Sequence, residues 1–326
     1  MTVHSLRATD MANHVRVVRP GRGRWLRMLV NLVLRIAMKW RHGLKIDIAV
    51  LRRRLGRMNR HAARKTLGVQ RESASCAGFV AEWLIPDECT SGRVLLYLHG
   101  GAFVARSPDL YAAMVAPWCR ALKARALMVD YRLAPEHPYP AGLDDCHAAY
   151  RWLLDQGVAP ADIVIAGDSA GGNLALATLL RAKHDGTPLP SCAVLLSPFL
   201  DLTLSGDSML ANARLDPLFT LAFGVGIRGF YAEPFELSSP EVSPLFGHFA
   251  GLPPLLLQVG SSEVLLDDAT RAAAQARADG VDVELEIWEG LPHIFQTITD
   301  LPQAGTAAQN VLAFVHGRTG WDSPRP

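Results

Sequence analysis

The stretch Ile163-Val164-Ile165-Ala166-Gly167-Asp168-Ser169-Ala170-Gly171-Gly172 decides how this chain is read. A β-branched run enters a Gly-x-Ser-x-Gly sequence, and Asn173-Leu174-Ala175-Leu176-Ala177-Thr178-Leu179-Leu180 leaves it as a helix-forming segment. Strand, tight turn and helix in that order form the setting a nucleophile elbow needs. The elbow holds its serine in a strained backbone conformation, tolerable only where the flanking positions lack bulk. Gly167 and Gly171 supply that room, and Gly172 lets the helix pack closely on the strand. Ser169 Oγ then stands clear of the backbone, at the positive end of the following helix.

On both sides of the elbow, short apolar strands alternate with helical segments. Strands are expected at 77–85, 94–98, 126–130, 163–166, 192–196, 255–259 and 283–288. Helices are expected at 109–123, 141–156, 264–279 and 303–316. This alternation predicts an α/β fold, a mostly parallel central sheet flanked by helices on both faces. Residues 205–245, irregular and rich in Pro, Leu and Phe, read as an insertion.

A serine hydroxyl is a poor nucleophile at neutral pH and needs a base, an orienting acid and an oxyanion trap. In parallel sheets such groups gather at the carboxyl ends of the strands. His293, in Glu289-Gly290-Leu291-Pro292-His293 after strand 283–288, is the candidate base. Glu263, just after strand 255–259, is the candidate acid; Asp267 and Asp268 compete but fall a turn into the next helix. The order Ser169, Glu263, His293 matches a Ser…acid…His triad. Backbone donors to an oxyanion are expected from Ala170 and from His99-Gly100-Gly101-Ala102-Phe103, directly after strand 94–98.

Three motifs then carry a resemblance. His99-Gly100-Gly101, Asp130-Tyr131-Arg132-Leu133-Ala134-Pro135-Glu136-His137-Pro138 and Gly167-Asp168-Ser169-Ala170-Gly171-Gly172 resemble the hormone-sensitive-lipase-like branch of α/β-hydrolases, the bacterial family IV esterases. The likeness runs from about residue 76 to 316. It implies an α/β-hydrolase fold with an N-terminal helical cap, and a carboxylic ester hydrolase with no metal and no cofactor. It also implies an oxyanion hole made by the amides of Gly100, Gly101 and Ala170, with the Asp130–Glu136 segment bracing the sheet. Two departures stand out: Ala102 replaces the usual third glycine, and Glu263-Val264-Leu265 stands where Asp-Pro-Leu is usual.

Composition bounds the rest. The chain has 326 residues, 49% hydrophobic and 20% charged, enough to bury a sizeable core. The net charge of +2 hides an asymmetry. Residues 1–71 hold eighteen Lys or Arg against Asp10 and Asp47, a local +16, so the remainder carries −14. The expected division is a basic arm and helical cap at 1–71, then a catalytic domain at 72–326 with its insertion around 205–245. Such an arm faces an anionic partner or packs on the acidic body of its own chain. Five scattered cysteines without a Cys-x-x-Cys pair argue for a reducing, cytoplasmic compartment and against a disulfide or zinc scaffold. The N-terminus lacks the pattern of a signal peptide.

Residues 1–22 are polar, basic and weakly patterned, the composition of a segment without fixed structure. From Trp25 to Trp40 a helix is expected whose Arg27, Asn31, Arg35 and Lys39 form one polar stripe on an otherwise apolar cylinder. Such a helix buries most of its circumference, either over an apolar cleft or in a membrane interface with its cations at the headgroups. A second basic helix is expected from Asp47 to Leu67. Leu215, Leu218, Phe219, Phe223 and Phe230 of the insertion, with the first helix, would line an acyl pocket for short to medium acyl esters. The expected partners are a small-molecule ester and, through residues 16–60, a membrane surface; a homodimer stays open, and no nucleic acid is expected. Two rivals remain: a retired hydrolase that binds an apolar small molecule, and a membrane-surface lipase for longer acyl chains.

Overall fold

The computed structural model describes residues 15–19, 24–37, 47–63, 68–76 and 78–321. Its frame is one nine-stranded sheet in the order β1-β9-β8-β7-β6-β4-β5-β3-β2. In chain order the strands are β1 Val15–Val18, β2 Val69–Cys76, β3 Phe79–Pro86, β4 Val94–Leu98, β5 Arg125–Asp130, β6 Ile163–Asp168, β7 Cys192–Leu196, β8 Leu255–Gly260 and β9 Val283–Trp288. All neighbours pair in parallel except β3, which runs antiparallel to β5 and β2.

The pleat sends alternate residues of each central strand to opposite cores. Val94, Leu96 and Leu98 of β4 join one apolar cluster, and Leu95 and Tyr97 join the other. The first cluster is covered by α4 (Ala141–Asp155), α5 (Ala170–His184) and α8 (Leu266–Ala278). The second is covered by α3 (Pro108–Leu122) and α9 (Pro302–Thr319). Burial on both faces explains why these strands read as unbroken apolar runs.

Above the carboxyl ends of the strands lie four further helices: α1 Arg24–Ala37, α2 Ile48–Ala62, and α6 Ser208–Ala211 and α7 Leu221–Tyr231 from the insertion. Asp47 caps α2 by accepting a bond from the Val50 amide at 3.0 Å. Lys39, Trp40 and residues 64–67, expected in the two N-terminal helices, lie outside the described residues.

Two strands escaped the sequence reading. Val15–Val18 pairs in parallel with β9, from Val15 opposite Leu285 to Val18 opposite Trp288, where no fixed structure was expected. Four residues are too few to show a period. The edge strand β2 exposes Gln70 to Ser73, so its sequence is polar and shows no apolar run. The sheet therefore takes residues 15–18 and 69–71 from the basic arm, and residue 71 falls inside β2.

Candidate active site

Ser169 closes the turn between β6 and α5 at φ 53° and ψ −120°, a strained conformation for a residue with a Cβ. Bulk is forbidden around it. A Cβ on Gly167 would collide with the Gly171 carbonyl, and one on Gly171 with the Leu98 carbonyl at the end of β4. The Ser169 amide donates to Leu196 O at 2.9 Å, and its carbonyl accepts from Phe199 N at 3.0 Å. The elbow is thus fastened to the end of β7 and to the loop that follows it.

His293 Nε2 lies 2.9 Å from Ser169 Oγ, and His293 Nδ1 lies 2.7 Å from Glu263 Oε2. All three side chains are buried, Glu263 completely. A carboxylate stripped of water needs several donors. The second oxygen of Glu263 accepts from the Gly260 amide at 2.5 Å and from Ser197 Oγ at 2.8 Å. Ser197 Oγ in turn accepts from the Ile294 amide at 3.2 Å, beside His293. Phe219 packs edge-on against the imidazole, with ring centroids 4.7 Å apart. Ser197 went unnoticed in the sequence. Its place at the carboxyl end of the strand between those bearing Ser169 and Glu263 was the available signal.

The competing acids do other work. Asp267 accepts from the Ser208 amide at 2.8 Å. Asp268 accepts from the Leu200 and Asp201 amides at 2.7 and 2.9 Å, and burial pushes its carboxyl up to about 8. Neither bonds to His293 among the described residues.

One of the expected oxyanion donors is occupied. The Gly100 amide donates to Asp168 Oδ1 at 2.8 Å, so this expected donor is already engaged. Tyr97 donates to the same carboxylate oxygen at 2.6 Å, and burial lifts Asp168 to about 6 against those two bonds. A Cβ on Gly100 would strike Asp168. Gly101, Ala102 and Phe103 follow with φ of 125°, 56° and 59°. Gly101 and Ala102 line the same cavity as Ser169 and His293, and Gly100 does not. Among the described residues the amides of Gly101, Ala102 and Ala170 donate to no protein acceptor. Of the two expected loop donors, Gly100 is engaged by Asp168, whereas Gly101 faces the cleft beside Ala102.

That cavity encloses about 780 Å³, its mouth included. Its roof is Leu34 of α1 with Leu51, Leu55 and Met58 of α2. A smaller pocket, about 370 Å³ with its opening to solvent included, shares Ala102, Ser169, Phe219 and Phe223 with it and runs among Met209, Ile227 and Leu265. Leu218, Phe219 and Phe223 line the cleft as expected. Leu215 is instead exposed, and Phe230 packs against the core.

The two roof helices are held differently. On α2, Arg52 donates to Val104 O at 2.7 Å and Ala134 O at 3.1 Å and pairs with Glu136 at 2.6 Å. Arg52 holds the Glu136 carboxyl down to about 2. Asn59 accepts from the Asp109 and Leu110 amides at 2.7 and 3.2 Å, capping α3. On α1 the polar stripe turns inward. Arg27 donates to Glu289 O at 2.7 Å, Asn31 to Gly290 O at 3.1 Å and Arg35 to Leu215 O at 3.0 Å. Within the chain α1 therefore turns its polar stripe to the protein, and Trp25, Leu29, Leu32 and Ile36 are exposed.

Among the described residues no cluster of three His, Cys, Asp or Glu side chains could hold a metal ion. No described helix is long and apolar enough to cross a membrane.

An elbow serine, an imidazole and a buried carboxylate in hydrogen-bonded series on a parallel sheet define the class of serine-dependent α/β-hydrolases. Residues 95–297 match the family model described as the alpha/beta hydrolase fold. The chain is 38% identical over 232 residues to an esterase of Acinetobacter venetianus, covering 71% of this chain and 77% of the relative. It is 39% identical over 241 residues to an acetyl-hydrolase of Streptomyces hygroscopicus, covering 74% and 80%. A crystal structure of an esterase from the bacterial hormone-sensitive lipase family superposes with a TM-score of 0.84 at 36% identity, over 90% of this chain and 98% of that one. The chain belongs to the α/β-hydrolase family, in its bacterial hormone-sensitive-lipase branch.

Proposed function

We propose that this chain hydrolyses carboxylic esters of short to medium acyl length through an acyl-enzyme on Ser169. The observation that carries the reading is His293 suspended between Ser169 Oγ at 2.9 Å and Glu263 at 2.7 Å. His293 takes the hydroxyl proton as Ser169 Oγ bonds to the ester carbonyl carbon. The amides of Gly101, Ala102 and Ala170 receive the developing oxyanion, in place of the engaged Gly100. His293 then passes its proton to the departing alkoxide oxygen, and the alcohol leaves. Water repeats the two transfers on the acyl-enzyme and releases the acid. Glu263 keeps Nδ1 protonated and stabilises the imidazolium.

The two cavities that meet at Ser169 support the acyl-length assignment. The smaller, walled by Met209, Ile227 and Leu265, takes the acyl chain, and the cleft under α1 and α2 takes the alcohol. The esterase of Acinetobacter venetianus and the Streptomyces acetyl-hydrolase support ester chemistry for this chain as well. The test is turnover of p-nitrophenyl esters from acetate to palmitate. The expected profile peaks at short to medium chains. A peak at palmitate overturns the acyl assignment, and no turnover of any ester overturns the reading as a whole.

A further inference from the structure

We propose that the outward face of α1 is a docking surface for an anionic lipid membrane. Trp25, Met28, Leu29, Leu32, Val33 and Ile36 are between 50% and 81% exposed. At 100° per residue they share one arc of roughly 140°. A helix on a water-soluble body ordinarily turns such a face to the core. Here the opposite face, with Arg27 and Asn31, and the flank that carries Arg35 meet the protein, and each of these side chains donates to a loop carbonyl. Val30 and Leu34 on the same inner side pack on the Trp288 and Phe295 cluster and over the cleft. Rolling α1 over would bury its apolar side but strip three carbonyl acceptors of their donors. The outward apolar face is built in.

Charge selects the occupant. Arg53, Arg57 and Arg60 are exposed on α2, the other roof helix. The Arg19 side chain, 87% exposed, stands near Glu289, whose carbonyl also receives Arg27. Two copies meeting through this face would bring those cations together, which electrostatics opposes. An anionic bilayer accepts both features, taking the apolar side chains between its headgroups and the arginines against its phosphates. The face also lies directly above the cleft, since Leu34 on the reverse side of α1 lines the cavity of Ser169. If the ester-hydrolase reading holds, lipophilic esters dissolved in that bilayer reach the cleft without crossing bulk water.

The experiment uses the full chain and Leu29→Glu/Leu32→Glu, two side chains that do not line the cleft. Each is sedimented with phosphatidylcholine vesicles with and without phosphatidylglycerol, and sized in solution. The native chain is expected to pellet with the anionic vesicles, and the variant to bind them at least about tenfold more weakly. The unfolding midpoint, expected to be the same for both, reports the fold without relying on ester turnover. Equal vesicle binding by native chain and variant overturns the proposal, as does failure of the native chain to bind anionic vesicles. A native dimer that the substitutions convert to monomer also overturns it, assigning the face to a second copy. None of these readouts depends on ester turnover, so this proposal and the esterase reading fail separately.

Discussion

The floor of the cleft and its α1 roof are two solutions to holding a side chain in place. In the floor, Ser169, His293 and Glu263 are buried, and each polar atom of the Glu263 carboxylate has a partner fixed to the sheet. The roof helix α1 hangs on three side-chain donors to loop carbonyls, two of them exposed to water. Bonds of the first kind are costly to break because a desolvated charge is left behind; bonds of the second kind exchange readily with water. Geometry that must be kept through every turnover sits in the floor. The part that meets a changing exterior sits on a surface latch. Between them stands α2, whose Arg52 and Asn59 reach the loop after β4 and the start of α3.

Substitutions can break or sharpen that contrast. In the floor, Glu263→Gln keeps an acceptor for Gly260 and Ser197 but loses the charge facing His293. Ester kcat is expected to fall by about 10²- to 10⁴-fold with little change in KM. Steady-state kinetics that showed less than a fivefold fall would remove Glu263 from the triad. In the roof, Arg27→Ala/Asn31→Ala releases two bonds of the α1 latch. The expected effect is a several-fold rise in KM for bulky, lipophilic alcohol esters, with acetate kcat unchanged. A matching loss of kcat on every ester would show that α1 belongs with the floor.

The smallest effect is on stability. Asp268 is raised from 3.8 to about 8 by burial, so the folded state holds a proton that the unfolded chain releases. Its contribution is full below pH 3.8 and is lost progressively as pH rises to about 8. Asp268→Asn keeps an acceptor for the Leu200 and Asp201 amides and removes the titration. Urea unfolding at several pH values between 5 and 8 should show a flatter decline for the variant. An unchanged decline would mean that Asp268 titrates normally.

The floor was legible in the sequence because its constraints are local. Gly167 and Gly171 flank Ser169 within two residues, and Glu263 and His293 each follow an apolar strand. The sequence says less where a long-range partner decides. The Gly100 amide is taken by a carboxylate 68 residues away, which is why the proposed mechanism draws on Gly101 and Ala102 instead. Ser197 matters because it reaches Glu263 across 66 residues. Edge strands β1 and β2 are short or exposed, so neither shows an apolar period. On α1 the polar stripe itself could be read, but its direction could not. Arginine and asparagine face inward there because the Glu289, Gly290 and Leu215 carbonyls are waiting for donors. No helical pattern encodes that.

The most direct test of the central claim is covalent. The native chain is treated with a p-nitrophenyl alkylphosphonate, and p-nitrophenol release is followed alongside intact and peptide mass. The account predicts one equivalent of p-nitrophenol per chain, one phosphonyl group on Ser169, and loss of both in Ser169→Ala. Labelling of another residue, or no stoichiometric labelling, would contradict the assignment of Ser169 as the nucleophile.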